Sequence, residues 1–286
     1  MHKTGKWARQ ILALQDEEGK WGGFHSLSSG AIITTEQALR RLERLGFTIE
    51  DPSICRAVEY MDDCLAGRKA IPDRREKTHD WDAFTEMILS TWIRRFTREN
   101  PRANETAGRW AQVVSRAFAA GQYNHKDYVQ AYTEIMGKPP AGNRLVDFTC
   151  FYPVSLMAGE LDMPIQQAMV DYILNKPDGI YYIYDKPVAR PPEHFQSRET
   201  SRWLGALELL AAYPGGLDSL AFGADWLEEQ QDTAGAWDMS GSAKDQVYFP
   251  LSDSWRGQRD RVQDCTQRIK ALLVRLRARP EALEKE

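Results

Sequence analysis

The 286-residue sequence lacks the short motifs that identify common enzyme classes. It contains no P-loop, no GxGxxG, no HExxH and no GxSxG. Its four cysteines, Cys55, Cys64, Cys150 and Cys265, form no CxxC pair. We therefore expect reduced, buried thiols in a cytoplasmic protein, and no reaction type that a local motif would specify.

Long apolar runs are also missing. No stretch approaches the roughly 18 apolar residues of a membrane helix, and the apolar part of the first residues is too short for a secretory signal. The net charge of −4 and the pI of about 5.8 disfavour a phosphate-backbone partner. The chain is nevertheless 42% hydrophobic, a globular composition. We predict a cytoplasmic protein with no transmembrane segment and no nucleic-acid partner.

Strand signals are almost absent, whereas helical spacing recurs along the chain. The one strand candidate is IYYIY at 180–184, in a Pro- and Gly-rich loop where a short hairpin fits. The first helices of successive pairs begin near residues 4, 52, 103, 163 and 217. This spacing of roughly 50 residues is typical of helical-hairpin repeats. Second helices are predicted at 34–46, 82–97, 147–159, 197–213 and 261–277.

Two segments fall outside this regular pairing. A further helix at 125–137 is either an insertion or half of a sixth hairpin, and residues 278–286 form a tail. Apart from these, the repeat extends along nearly the whole chain, which predicts a single domain over residues 1–286.

One phrase, Gln-x3-Gly-x-Trp, occurs near both ends of the chain. Its residues are Gln15, Gly19 and Trp21, and again Gln231, Gly235 and Trp237. It resembles the QW repeat of squalene–hopene cyclases and acid-initiated terpene cyclases, and the β-subunits of protein prenyltransferases have related phrases. The resemblance implies an all-α fold, an α/α toroid of five to six helical hairpins around a central cavity. It also implies that the glutamines bind helix-end carbonyls, and that the tryptophans fill gaps where the first and last units meet.

In such a toroid the second helices are inner, and their N-terminal ends converge on one mouth of the cavity. Acidic residues lie at or near these helix starts, which gives five candidate catalytic acids: Asp80, Asp82, Glu86, Glu199 and Asp264. Carboxylates around one concave site raise one another's pKa, so that a protonated one can act as a general acid. A simpler interpretation stays open, in which these acids only cap helices and interact with the helix dipole.

The same ends supply candidate ligand-binding residues. His79 would orient a carboxylate, and Arg198, in the Pro-rich segment 185–199, would contact an anionic group. The remaining candidates are aromatic residues for the cavity wall and one rim acid: Trp81, Tyr152, Trp203 and Asp147. His25 and His194 also precede second helices, as His79 does.

The sequence departs from both family patterns at their chemical centres. The string Asp80-Trp81-Asp82-Ala83 lacks the last acid of the DxDD motif that terpene cyclases use for protonation. Asp264 and Cys265 are adjacent, not spaced as the D-x-C of the prenyltransferase zinc site. We therefore predict no metal and no other cofactor. A zinc ion held by Asp264, Cys265 and one rim histidine stays an open alternative, and whether the protein is an enzyme also stays open.

Three functions follow from these observations. The first is binding of a small hydrophobic or amphipathic ligand, such as an isoprenoid, in the toroid cavity, with or without acid-assisted chemistry. The second is a non-catalytic toroid scaffold that binds a ligand or a protein partner. The third is a carbohydrate-active enzyme with a carboxylate pair drawn from Asp80, Asp82, Glu86 and Glu199, and aromatic residues that stack on sugar rings.

Overall fold

The structure, a computed structural model, describes residues 2–27, 31–75, 80–140 and 147–278. These residues form eleven α-helices and no β-strand. The helices are α1 (Lys6–Leu12), α2 (Thr35–Arg44), α3 (Pro52–Leu65), α4 (Trp81–Phe96), α5 (Pro101–Ala117), α6 (His125–Met136), α7 (Phe151–Leu156), α8 (Met163–Leu174), α9 (Arg198–Leu210), α10 (Ala221–Glu229) and α11 (Gln258–Leu276). The all-α prediction is confirmed.

Each predicted helix is present, with small changes at the ends. Helix α7 covers only Phe151–Leu156, six residues of the predicted 147–159. The first turn predicted for the helix at 217–230 is a 3-10 helix, Asp218–Leu220, from which α10 continues. In place of a hairpin, the IYYIY segment forms a single antiparallel bridge between Ile180 and Tyr184.

The helix ends follow the local signals in the sequence. Thr34 caps α2 in a capping box, since its hydroxyl accepts from Gln37 N and the Gln37 side chain accepts from Thr34 N, both at 3.1 Å. Gly46 ends this helix at φ 92°, and Pro52 occupies the first turn of α3. These local contacts explain why the helix boundaries could be read from sequence.

The chain divides into two compact units. Unit 1 comprises Met1–Gly108, Ala141–Val146 and Leu251–Asp253, and unit 2 comprises Arg109–Pro140, Asp147–Pro250 and Ser254–Glu286. The boundary falls within α5. The single-domain and toroid arrangements stay predictions.

Paired helices pack on each other in the first, second and last hairpins, and α2, α4 and α9 are each more deeply buried than the first helix of their pair. In unit 1, α1 packs on α2 and α3 on α4, and residues 87–94 of α4 are all buried. In unit 2, α10 packs on α11, and α9 buries nine of its 13 residues whereas α8, the first helix of its pair, buries five of its 12. A helix that is buried around its circumference lies inside a layer of helices that have one apolar face.

The two Gln-x3-Gly-x-Trp phrases form the same turn. In unit 1 the Trp21 indole N–H donates to Ile11 O at 2.8 Å, and Trp21 N donates to the Thr35 hydroxyl at 2.9 Å. In unit 2 the Trp237 indole donates to Leu227 O at 2.7 Å, and Trp237 N donates to the Thr266 hydroxyl at 3.0 Å. Both rings are buried. The repeat is therefore structural as well as sequential: each tryptophan joins the two helices of its own hairpin.

The resemblance implied that Gln15 binds helix-end carbonyls, but in the structure it binds other carbonyls. Its Nε2 donates to the turn carbonyl of Gly19 at 2.9 Å and to Ser53 O, in the first turn of α3, at 2.8 Å. Arg56 donates to its Oε1 at 2.6 Å. Gly19 has φ 94°, and a Cβ there would lie 2.5 Å from Arg56 O. The phrase thus fixes the first hairpin to the second, and only glycine permits the close approach.

A segment from late in the sequence belongs to unit 1. Residues 251–253 lie at the start of α1, where Asp253 Oδ1 accepts from Lys6 N at 2.5 Å. Gly5, the N-cap residue, has no side chain that could cap the helix, and a carboxylate 247 positions away from Lys6 accepts from the first turn instead.

Two further properties bear on the class of protein. Among the described helices, none combines the length and the hydrophobicity needed to cross a bilayer. All four cysteines are free; Cys150 and Cys265 are buried, as predicted, whereas Cys55 and Cys64 are only half-buried.

Candidate functional site

The N-terminal end of α9 holds two of the predicted site residues, Arg198 and Glu199. Ser197 caps the helix by accepting from Thr200 N at 3.1 Å, and the Thr200 hydroxyl donates to His194 O at 2.9 Å. These bonds fix the Pro-rich segment that precedes the helix. Glu199 lies in the first turn, where the helix dipole favours a carboxylate.

Glu199 is held from one side by a tyrosine and a lysine. The Tyr184 hydroxyl donates to Oε1 at 3.1 Å, and Lys186 Nζ lies 2.9 Å from the same oxygen. The Glu199 side chain is 37% exposed, and neither contact uses Oε2. Burial, followed by the charge of Glu199, raises the pKa of Tyr184 well above its usual range, so this hydroxyl stays a donor.

The loop that carries Tyr184 is tightly closed. A Cβ on Gly179 would lie 2.3 Å from the carbonyl oxygens of Tyr184 and Lys186, and its φ is 57°. Tyr182 has φ 73°, a conformation that side chains rarely adopt and that costs about 1–3 kcal/mol. Its ring lies 5.3 Å from that of Tyr152, a predicted ligand-binding residue. One strained loop therefore joins the aromatic rings to the turn that contacts Glu199; we call Tyr152, Tyr182, Tyr184, Lys186 and Glu199 the Glu199 site.

The other predicted residues on α9 have different surroundings. Arg198 is exposed, and its Nε donates to Lys244 O at 3.0 Å. Trp203 is fully buried; its indole donates to Val188 O at 2.9 Å, and its ring lies 5.0 Å from Trp226. Arg198 therefore remains accessible to an anion, whereas Trp203 packs in the core of unit 2.

The three acids of α4 are not held together. Asp80 is the N-cap residue and accepts from Ala83 N at 3.3 Å. Asp82 has a 72% exposed side chain and pairs with Arg75 at 3.1 Å. Glu86 accepts from the Thr106 hydroxyl of α5 at 3.0 Å. Each carboxylate has its own partner, and the capping interpretation is the one that the geometry of Asp80 supports.

Trp81 and His25 both lie near Phe84, and His25 makes a contact with Glu36 that was not predicted. The Trp81 ring is 6.0 Å from Phe84, which lies 5.5 Å from the His25 ring. His25 Nδ1 is 2.8 Å from Glu36 Oε2, and Glu36 Oε1 accepts from Arg40 at 3.0 Å. His79, predicted to orient a carboxylate, lies outside the described residues.

Asp73 holds the His25 loop in place. Its carboxylate accepts from Phe24 N at 2.6 Å, His25 N at 3.0 Å and Ser26 N at 2.5 Å. No local pattern around Asp73 signals this role, because its partners lie about 50 residues earlier in the sequence.

Asp264 and Cys265 are buried in α11. Asp264 is 1% exposed and accepts from the Trp255 indole at 2.6 Å. Burial raises the pKa of Cys265 to about 12, which keeps it a thiol. In the part of the chain that the structure describes, no three His, Cys, Asp or Glu side chains are grouped to hold a metal ion. Asp264 serves as a hydrogen-bond acceptor in the core.

Asp147 precedes α7 and caps a turn. Its Oδ1 accepts from Thr149 N and from the Thr149 hydroxyl, both at 2.9 Å, while Oδ2 lies 3.6 Å from Lys176 Nζ. Its side chain is 29% exposed. Asp147 therefore has one oxygen committed to the backbone and one facing a partly exposed lysine.

A buried arginine that was not predicted links α9 and α11. Arg268 donates to Glu208 at 2.7 Å and to the carbonyl and hydroxyl of Ser201, both at 2.9 Å. Ser201 in turn donates to Asp245 at 2.6 Å, and the Asp245 carboxylate accepts from three backbone N–H groups of its own loop, those of residues 247–249. This network, the Arg268 network, fixes the loop before α11 on the α9 helix.

Comparisons with family models, with curated proteins and with solved structures found no match for this chain. Its function is therefore inferred from its own residues.

Proposed function

We propose that the chain is an α/α toroid, of the type that squalene cyclases and prenyltransferase β-subunits form, and that it binds a small amphipathic ligand at the Glu199 site. Three observations support the toroid. The two tryptophan turns have the same hydrogen bonds, the second helices α4 and α9 are buried around their circumference, and a late segment, residues 251–253, packs on α1.

One observation carries the ligand site: Glu199 is a partly exposed carboxylate whose Oε1 is fixed by Tyr184 and Lys186. These two contacts orient the carboxylate but do not involve Oε2, which can therefore accept a hydrogen bond from a ligand hydroxyl. The Tyr182 ring on the same loop is partly exposed and is backed at 5.3 Å by the buried ring of Tyr152, so it offers apolar surface for the body of that ligand.

The surroundings of Glu199 favour binding over acid chemistry. Lys186 stabilises the ionised carboxylate, whereas a general acid must hold a proton. Among the described acids that were candidates for protonation, Asp82 is solvent-exposed and Asp264 accepts from an indole. Isoprenoid alcohols fit this chemistry, because they combine a hydroxyl donor with an apolar chain, and a diphosphate would add a contact to Arg198.

The experiment measures binding of farnesol, farnesyl diphosphate and maltose by calorimetry, together with mass spectrometry of organic extracts from the purified protein. We expect farnesol to bind and Glu199→Gln to weaken it about tenfold, since a charge-assisted hydrogen bond becomes a neutral one. Arg198→Met should weaken only the diphosphate.

Glu229→Gln is the matched control, because Glu229 is an exposed acid of unit 2 at the end of α10. It should leave every affinity unchanged. Absence of binding to both isoprenoids, with none in the extract, would refute the proposal. Binding of maltose alone would favour the carbohydrate-active alternative.

A further inference from the structure

Among the described residues, four glycines of positive φ stand two positions before a tryptophan or a tyrosine, two before each. The tryptophan copies end in Trp21 and Trp237; the tyrosine copies are Gly121–Tyr123 and Gly179–Tyr181. All four glycines have positive φ. Both tryptophans are buried, whereas both tyrosines are partly exposed. In the tyrosine copies the ring is therefore partly accessible to solvent, whereas in the tryptophan copies it packs between the helices of a hairpin.

Tyr123 is supported by a rigid layer of rings. Its ring lies 5.6 Å from Phe118 and 5.4 Å from Phe148, both of which are buried. Tyr172 of α8 lies beside it at 4.7 Å and is also partly exposed. Two adjacent tyrosine rings thus stand on a packed aromatic base, so little conformational freedom is lost when a ligand stacks on them.

Polar groups of both kinds border these rings. The imidazole of His125 lies beside Tyr123, with Nδ1 2.9 Å from the tyrosine hydroxyl. Asp147 and Lys176 lie 3.6 Å apart, close enough to Tyr172 that both charges act on its hydroxyl. In the described residues that hydroxyl makes no hydrogen bond. We call Tyr123, Tyr172, His125, Asp147 and Lys176 the Tyr123 surface.

We propose that the Tyr123 surface binds a neutral carbohydrate ring, at a site separate from Glu199. A sugar ring offers an apolar C–H face to an aromatic ring and hydroxyls that both donate and accept. The surface provides the matching groups: two supported rings, a carboxylate acceptor, an ammonium donor and a hydroxyl. An anion fits less well, since Lys176 also contacts Asp178 at 2.8 Å and the nearby carboxylates outnumber it.

The test uses the full chain with ¹³C-labelled tyrosine rings, titrated with a panel of glucose, galactose and mannose disaccharides followed by NMR. We expect at least one disaccharide to shift the Tyr123 and Tyr172 signals, with millimolar affinity, and to leave the Tyr60 signal of unit 1 unchanged. Tyr172→Ala should weaken binding at least about tenfold, because the stacking ring is lost. Tyr172→Phe, which keeps the ring, should retain most of it.

Three results would overturn the proposal. The first is that no member of the panel shifts the two signals of the wild-type protein. The second is that Tyr172→Ala, folded by circular dichroism, binds as tightly as wild type. The third is that tetramethylammonium shifts the two signals and displaces any bound sugar, which would make this a cation site. The wild-type titration decides the question even if Tyr172→Ala fails to fold, and it is independent of the isoprenoid experiment.

Discussion

The indole of Trp7 donates a 2.9 Å hydrogen bond to the carbonyl of Ser252, a residue 245 positions later in the chain. The adjacent Asp253 accepts from Lys6 N and so caps α1. Gly5 leaves room for this carboxylate, since a Cβ on Gly5 would lie 2.8 Å from Asp253 Oδ1. The first helix therefore depends on a side chain from the last quarter of the sequence.

The Asp253 cap gives the first prediction. Asp253→Ala should lower the free energy of unfolding by about 1 kcal/mol, because the N-terminal N–H groups of α1 lose their acceptor. Asp253→Asn should restore most of it, since asparagine caps almost as well. Chemical denaturation measures both, with the exposed Glu17→Gln as control. Equal stability of the alanine and asparagine variants would contradict the capping role.

The threonines that bind the tryptophan turns give the second. Thr35→Val and Thr266→Val each remove the acceptor of a tryptophan backbone N–H. We expect a loss of about 2 kcal/mol for Thr35, which is fully buried, and about 1 kcal/mol for Thr266, where water reaches the site. The serine variants keep the hydroxyl and should be much less affected. Thermal unfolding of the four variants checks the order.

The third prediction concerns pH. Arg261 makes two 2.6 Å hydrogen bonds to Asp238 and holds the pKa of that carboxyl below its usual range. The ion pair therefore stabilises the fold above the ordinary aspartate pKa, and this stability is lost as pH falls through the lowered pKa. Asp238→Asn should cost about 1 kcal/mol at neutral pH.

The same substitution should have almost no effect at a pH below the lowered pKa, where the wild-type carboxyl is protonated. Denaturation at several pH values provides the comparison. A cost that stays constant from neutral to acidic pH would show that charge is not its source.

The Arg268 network gives the fourth prediction. Arg268→Met leaves Glu208, which has a 10% exposed side chain, without its cation. The expected loss is about 3–5 kcal/mol, mainly the cost of an uncompensated buried charge. Adding Glu208→Gln should recover part of that loss. The exposed Arg259→Met is the matched control, and urea unfolding of the single and double variants measures the coupling.

Local signals allowed much of the fold to be predicted, since caps and helical spacing involve residues close in sequence. Thr34, Gly46 and Pro52 act within one or two turns of their own positions. Arg268 was missed because a charged residue in the segment RVQDCTQRIK predicts a solvated face, whereas its partner Ser201 lies 67 positions earlier.

The candidate site was predicted in part for the same reason. Glu199 and Tyr152 were chosen as helix-start residues, but Tyr184 and Lys186, which orient the carboxylate, lie in an irregular loop. The Tyr123 turn was missed because its tyrosine replaces the tryptophan that identifies the repeat. Tertiary contacts decide whether a carboxylate is paired with a cationic or a neutral donor. No spacing in the sequence indicates these contacts.

The docking of residues 251–253 on α1 has a consequence for synthesis on the ribosome. The unit that contains α1 cannot acquire all its native contacts until residues 251–253, which follow Trp7 by about 245 positions, have been translated and have left the exit tunnel. Until then the backbone at the start of α1 is open to solvent and to chaperones. Helix α1 is therefore among the first segments to be translated, but it is among the last to make all its native contacts.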